Sequence, residues 1–552
     1  MREKLRRFLQ DVFPKTSLPF EIESPKVKEH GELSTNLALL LGKQEKKNPK
    51  AVADELVAMI RAKGWNLLEK VEVAGPGFIN FTFFKNAWRD SLKEIESRGD
   101  SFGCSEVGKG QKVLVEFVSA NPTGPVHIGN ARGGPLGDAI ASLFEATGYQ
   151  VTREYYVNDV GGQIDKLGAS ILTAGWGVSL GEQQYQGVHV DQLAHEAKKS
   201  IGTAVDRLIQ EKKETEAAGL LGKLGIELLL QEIRRTCDGM GIEFDSWVHE
   251  KEVLSEKTGN ILQDLKKKGV TVEKEGALWL ATQDEFLEDR ECVLVRSDGR
   301  PTYFANDIAY HTGKYGRGYD RIIDIWGSNH HGHVPRIKAA LQSLGYDATK
   351  IEVVLYQYVR IKRGNEAVKM SKRGGTFVTA EEVLEEVGRD AFRFFLLMRA
   401  AESHLDFDLD LAKKESQENP VYYVQYAHAR LASLFRKAEE KGIGKIPADL
   451  DLSHLDLPEE IELIRLLHKF PDEVSRAASL LEPHRIPFYL LELSQAFQAY
   501  YAKAKLDFRY QVVGSDIDTT RVKLYLCRIL KRTIANGLKL MGVSAPSEMR
   551  HD

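Results

Sequence analysis

The chain has 552 residues, 28% of them charged, and a net charge of -4, so it reads as an ordinary globular protein with room for three or four domains at about 150 residues each. No apolar run approaches the roughly 20 residues that span a bilayer, and Met1-Arg-Glu-Lys-Leu-Arg-Arg7 lacks the apolar stretch of a secretory leader, so a cytoplasmic protein with no membrane partner is expected. Cys104, Cys237, Cys292 and Cys527 are scattered, which indicates neither a disulfide framework nor a thiolate zinc site.

Residues 1–105 read as a separate α+β module. Ala51 to Ile60 is helical in pattern, and Val71 to Phe83 reads as two strands broken at Gly75-Pro-Gly77. Gly103 to Gly110 is a polar, glycine-rich linker. A strand over Val113 to Val118 then meets the turn Ser119-Ala-Asn-Pro-Thr-Gly-Pro-Val-His127. A helix over 131–147 follows, in which Leu136, Ile140, Leu143 and Phe144 recur at helical spacing. A strand over Val151 to Val157 completes a strand, turn, helix, strand unit. This is half of a nucleotide-binding fold, with unusual residues where a helix N-terminus offers free N–H groups to a phosphate.

Tyr156-Val-Asn-Asp159 and Gln163 form a polar group at the C-terminal end of a strand, the edge at which open α/β sheets bind ligands. Residues 168–291 loosen into helical stretches and read as an insertion between two halves of a sheet. Strands resume at Arg321 to Trp326 and Ile351 to Tyr356. After Leu405 the pattern is almost wholly helical, which predicts a helix bundle over 406–552 with Tyr422, Tyr423, Tyr426, Tyr500 and Tyr501 in or between its helices. Residues 501–540 hold nine Lys/Arg against three Asp. Such a patch can hold phosphates, though it is more often a solvated helix face.

The stretch Val368-Lys-Met-Ser-Lys-Arg-Gly-Gly375 follows a hairpin-like Arg363-Gly-Asn365. Two lysines three residues apart beside Gly-Gly suit a mobile loop that neutralises a triphosphate as charge develops on the leaving oxygen. Lys369 lies 242 residues after His127, with half-sheets before and between, so both phosphate-handling elements fall on one nucleotide fold.

The pair His127-Ile-Gly-Asn130 and Lys369-Met-Ser-Lys372 resembles the HIGH and KMSKS motifs of class I aminoacyl-tRNA synthetases. Ser119 to His127 resembles the arginyl-tRNA synthetases in particular. So do Tyr156-Val-Asn-Asp159 with Gln163, Phe244-Asp-Ser-Trp-Val-His-Glu250, Tyr303-Phe-Ala-Asn-Asp307 and Trp326-Gly-Ser-Asn-His-His-Gly332. His30-Gly-Glu-Leu-Ser-Thr-Asn36 and Gly75-Pro-Gly-Phe-Ile-Asn80 are similar to that family's N-terminal tRNA-binding domain. Tyr423-Val-Gln-Tyr-Ala-His-Ala-Arg430 is similar to its helical anticodon-binding domain.

The resemblance implies an α/β fold: a Rossmann-type parallel-sheet catalytic domain over 106–405, an N-terminal tRNA-binding α+β domain over 1–105, and an all-α anticodon-binding bundle over 406–552. It implies activation of arginine by ATP and transfer to the terminal adenosine of an arginine tRNA, with activation requiring bound tRNA. Magnesium would travel with ATP, no protein-bound zinc is expected, and a monomer is expected. The ATP site would comprise His127, Gly129, Asn130, Gly327, His330, Lys369, Met370, Ser371 and Lys372, with His127, Asn130, Lys369 and Lys372 acting in catalysis. The arginine site would comprise Glu116, Ser119, Asn121, Glu250, Tyr303, Asp307 and His331.

The physical reading agrees with that choice of acids. Guanidinium is a planar fork of five donors best met by carboxylates, and Glu116 interrupts an otherwise apolar strand. Lysine could not satisfy two acids bidentately, which provides rejection without editing. His330, His331 and His333 have no Asp, Glu or Cys at matching spacing and suggest a polar pocket rather than a metal. The one departure is Asn130, which stands where HIGH has its second histidine and can donate a hydrogen bond but carry no charge. A synthetase for another amino acid and a non-catalytic tRNA-binding relative are the alternatives.

Overall fold

The computed structural model describes residues 1–14, 18–25, 27–181, 185–254, 257–281, 292–364, 366–368, 378–447 and 449–549. Strands β1 (Ile22–Glu23), β2 (Leu33–Thr35), β3 (Leu68–Ala74) and β4 (Phe78–Phe83) form an antiparallel sheet in the order β1-β2-β4-β3, backed by the helix Pro49–Lys63. Asn48 caps that helix by accepting from Lys50 N, and Pro49 occupies its first position, where no N–H is needed.

The central sheet comprises β5 (Lys112–Glu116), β6 (Gln150–Val157), β7 (Ser246–His249), β11 (Arg321–Gly327) and β12 (Ile351–Tyr356), all parallel, in the order β12-β11-β5-β6-β7. The chain leaves β5 to one side and returns beyond it on the other, so the switch point lies between β5 and β11, where open α/β sheets hold their ligands. A small antiparallel sheet of β8 (Thr271–Lys274), β9 (Ala277–Leu280) and β10 (Cys292–Val295) lies outside it.

Two expectations about this region change. Strand β5 ends at Glu116, two residues short of the predicted end, because Val118 and Ser119 adopt positive φ of 67° and 37°. The region read as an insertion also contains β7, a strand of the central sheet. Its helical part, Gly162–Trp176, Val188–Gln210 and Glu214–Gly239, builds a core of its own around Leu167, Ile171, Leu221 and Leu229.

The helix Gly133–Ala146 packs on β5 so closely that a Cβ at Gly137 would come 2.2 Å from the Phe117 ring, and only glycine fits there. The hairpin of β13 (Val359–Arg363) and β14 (Glu366–Ala367) forms as read, and β13 also pairs in parallel with β15 (Leu405–Asp408). Four long helices, Pro420–Glu440, Pro458–Ser479, Arg485–Lys503 and Ile517–Leu540, make the bundle, with Tyr422 and Tyr500 buried in it. The basic stretch of the bundle is largely paired internally: Arg528 and Arg532 meet Glu96, and Lys503 meets Glu459.

Candidate active site

At the switch point lies a cavity of about 480 Å³. Of the residues singled out from the sequence, Glu116, Ser119, Asn121, Asn130, Tyr303, Asp307, Gly327 and His330 line it, as do Tyr156, Asn158 and Gln163.

The approach to it is built from the sequence in a legible way. Residues 117–127 cannot continue as strand through Val118 and Ser119. The left-handed backbone there lets Ser119 Oγ donate to Glu116 Oε1 at 3.0 Å while accepting from Tyr156 N at 3.1 Å, which fixes the turn to β6. Tyr155 Oη donates to Ala120 O at 2.8 Å and fixes it again. His127 caps the short helix Ile128–Ala131: Gly129 N donates to its Nδ1 at 2.8 Å, so the ring proton resides on Nε2.

Residues 126–128 are stitched to 378–380. Ile128 N donates to Val378 O, Ala380 N donates to Val126 O, and His127 and Thr379 form a bridge. Lys369, Met370, Ser371 and Lys372 lie outside the described residues, but the segment that follows them is anchored directly on the His127 turn.

Arg132, two residues beyond Asn130, is buried and binds backbone carbonyls alone. Its Nη1 reaches Gln357, Ala401 and Ser403, and its Nη2 reaches Arg399 and Ala400, all within 3.2 Å. Burial lowers its pKa to about 10.

The floor of the cavity is a buried polar cluster. Lys314 Nζ donates to Glu116 Oε2 at 2.6 Å and to Asp324 Oδ1 at 2.7 Å, and Tyr310 Oη faces Glu116 Oε2 and Glu154 Oε1 at 2.8 and 2.7 Å. Arg317 holds Glu154 from the far side. His311 lies between Asp324, 3.0 Å from Nε2, and Asp307, whose Oδ1 is 3.1 Å from Nδ1. Burial and Lys314 oppose its protonation, but the two carboxylates win and raise its pKa to about 10, so it is an imidazolium at neutral pH. Burial would raise Asp307, yet His311 and His333 hold it well below the usual carboxylate range.

Glu250 and His331 differ from expectation. Glu250 is buried beside the cavity rather than lining it; Asn306 Nδ2 lies 3.5 Å from Oε1, Oε2 has no hydrogen-bond partner, and burial pushes its pKa up to about 7. His331 is exposed and absent from the lining, and His333, two residues on, stands at Asp307 instead. Its place follows from the turn 328–332, which ends at the helix Val334–Ser343 with His333 as N-cap.

Sequence reasoning missed Tyr310, His311 and Lys314 because it looked for acids one at a time. Tyr303, Asp307, Tyr310, His311 and Lys314 recur at helical spacing along one face of Tyr303–Gly316, a polar stripe where an apolar one is the rule, and that signal was available.

A parallel sheet with a ligand cavity at its switch point, and a helix-capping histidine turn stitched to the segment after a lysine loop, define a class I aminoacyl-tRNA synthetase catalytic domain. Residues 93–395 match the family model described as tRNA synthetases class I (R), catalytic domain. Residues 1–83 match the arginyl tRNA synthetase N terminal domain and residues 424–549 the DALR anticodon binding domain. The chain belongs to the arginyl-tRNA synthetase family.

A relative from Geobacter sp. (strain M21), named arginine–tRNA ligase, is 44% identical over 534 residues, covering 96% of this chain and 94% of its own. Another of that name from Desulfosudis oleivorans is 45% identical over 540 residues, covering 96% and 95%. The solved arginyl-tRNA synthetase of Thermus thermophilus shares the fold along the full length of both chains, with a TM-score of 0.78 at 24% identity.

Proposed function

We propose that this chain activates arginine with ATP, giving arginyl-adenylate and pyrophosphate, and transfers the arginyl group to the 3'-terminal adenosine of an arginine tRNA. The observation that carries the arginine assignment is Asp307, a carboxylate facing the cavity beside the aromatic side chain of Tyr303. A guanidinium with five donors is met by a carboxylate edge and an aromatic face. Glu250 is the second acid: its unpartnered Oε2 is an acceptor awaiting a donor, and a bound cation would bring its pKa back down. Asn121 and Ser119, with Glu116 behind them, hold the amino-acid end.

His127 through Nε2–H, together with Gly129, Asn130, Gly327 and His330, takes ATP. Lys369 and Lys372, with Met370 and Ser371 between them, close over the triphosphate and neutralise the departing pyrophosphate. The carboxylate of arginine attacks the α-phosphorus, the bond to the pyrophosphate oxygen breaks, and the terminal ribose hydroxyl later attacks the arginyl carbonyl and releases AMP. Positioning and charge do the work. Magnesium enters with ATP; among the described residues no group of three His, Cys, Asp or Glu could hold a metal.

The N-terminal module over 1–105 and the bundle over 406–552 hold the tRNA, the catalytic domain spans 106–405, and the chain acts as a cytoplasmic monomer. Among the described residues no helix is long and apolar enough to cross a membrane.

The test is aminoacylation of bulk tRNA across the amino acids, together with pyrophosphate exchange with and without tRNA. Arginine alone should be charged, and exchange should need tRNA. Full charging by another amino acid would falsify the assignment, and full-rate exchange without tRNA would remove the tRNA requirement.

A further inference from the structure

The two carboxylate oxygens of Asp307 have different neighbours. Oδ1 lies 3.1 Å from His311 Nδ1, which donates to the backbone carbonyl of Asp307 at 2.8 Å; that imidazole is fully buried and tied through Nε2 to Asp324, so it is a fixture of the floor. Oδ2 forms a short hydrogen bond with Nε2 of His333. His333 is different in kind from His311. It belongs to another element, the N-terminus of Val334–Ser343, it lines the cavity, and its ring lies in an aromatic slot with centroids 6.0 Å from Tyr303, 5.6 Å from Phe304 and 5.8 Å from Trp326.

We infer that His333 is a stand-in for the guanidinium of the substrate: it holds Asp307 Oδ2 until arginine enters, gives up that oxygen to the guanidinium, and thereby sets the affinity of the site. This rests on the assignment of Asp307 to the arginine side chain.

Three features carry the inference. A carboxylate pairs bidentately through both oxygens, and Oδ2 is the one His333 holds, so a guanidinium docking on Asp307 competes with His333 for that atom. The neighbouring groups support this. Lys314 is spent on Glu116 and Asp324 and Arg317 on Glu154, while His311 is shared between Asp324 and Asp307 and is fixed in the floor, so the partner of Asp307 on the cavity side is His333. The other titratable groups around it, Tyr303, Tyr310, His330 and Glu250, bring no cation of fixed charge. The slot is also the right shape for exchange, since a planar imidazole lying against aromatic rings can be replaced by a planar guanidinium with little repacking.

The experiment measures equilibrium binding of arginine and of lysine to the full-length chain by calorimetry, and KM for arginine and ATP, for wild type, His333→Ala, His333→Asn and Asp307→Asn. Removing the competitor should tighten arginine binding by about ten-fold, the worth of one charge-assisted hydrogen bond. It should lower KM for arginine without moving KM for ATP, and tighten lysine by the same factor, leaving the arginine to lysine ratio unchanged. A group that merely supports the fold would weaken binding when removed. Alanine empties the slot and asparagine keeps a polar group too short to reach Asp307, so the two variants fail for different reasons if folding suffers. Arginine binding equal to or weaker than wild type in the folded variants overturns the stand-in role. Unchanged arginine affinity in Asp307→Asn overturns the placement of the guanidinium instead, and the two failures are separately visible.

Discussion

Arg393 donates to Asp138 at 2.5 Å through Nη2, and the same guanidinium holds the carbonyl of Met541 at 2.6 Å through Nε and that of Met240 at 2.9 Å through Nη1. One buried side chain thus joins the helix that follows the His127 turn, the end of the last bundle helix, and the end of the longest insertion helix. Asp138 is held from its other oxygen by Arg153 at 3.0 Å. Replacing Arg393 with Met leaves Asp138 short of a cation and strands two buried carbonyls, and should cost about 3–5 kcal/mol. Urea unfolding reads this directly, and a loss under 1 kcal/mol would show the junction to be incidental.

Arg132 is a second fastening of the same region, made entirely to carbonyls of 357 and 399–403. Lysine has three donors on one point and cannot span five acceptors. Arg132→Lys is therefore expected to lower stability by about 2–4 kcal/mol and to raise KM for ATP, since the Asn130 turn loses its support. Unchanged thermal unfolding would contradict this.

Glu250 gives a pH signature. Its pKa is raised in the fold from 4.5 to about 7. Its contribution to stability is therefore complete below about pH 4.5 and is lost as the pH climbs through 7. Glu250→Gln should leave stability at pH 5 nearly unchanged and raise it by about 1–2 kcal/mol at pH 8, while raising KM for arginine at both. Paired melts at the two pH values decide it, and a destabilised variant at pH 8 would mean that the carboxylate has a partner in the fold.

Asp307→Asn keeps the shape and removes the charge. KM for arginine is expected to rise on the order of 100-fold with KM for ATP nearly constant, the pattern of a lost charge-assisted pair. Equal effects on both substrates would place Asp307 in general support of the cavity.

Asn130→His restores a group that can carry charge at the phosphate edge. KM for ATP is expected to fall about 2–10-fold. Steady-state kinetics with ATP varied would reveal no change if the side chain is a spectator.

Much of this was legible in the chain. The alternation of strand and helix, the turn at 119–127 and the polar ends of β5 and β6 announced a parallel sheet and the edge at which it binds, because helix and strand periods and Gly/Pro turns are local. What escaped was set by tertiary contact. The mixed run 242–249, Ile-Glu-Phe-Asp-Ser-Trp-Val-His, hides β7 because the strand is only four residues long and half-buried throughout, too short for a periodic pattern to declare it. Read from the sequence, His331 belongs in the arginine site and His333 is left out, and only the turn 328–332 decides which one reaches Asp307. Glu250 stands out in the sequence as an acid, but its burial, and so its raised pKa, depends on neighbours far along the chain.

The Asp307 edge has a consequence for handling the protein. A wall shaped for a planar cation does not distinguish the side chain of arginine from the same group free in solution. Guanidinium chloride, the common unfolding reagent, is thus expected to be a small occupant of the native state as well. At low concentration it should delay melting and inhibit charging in competition with arginine, and unfolding curves in it should show an initial plateau absent from those in urea.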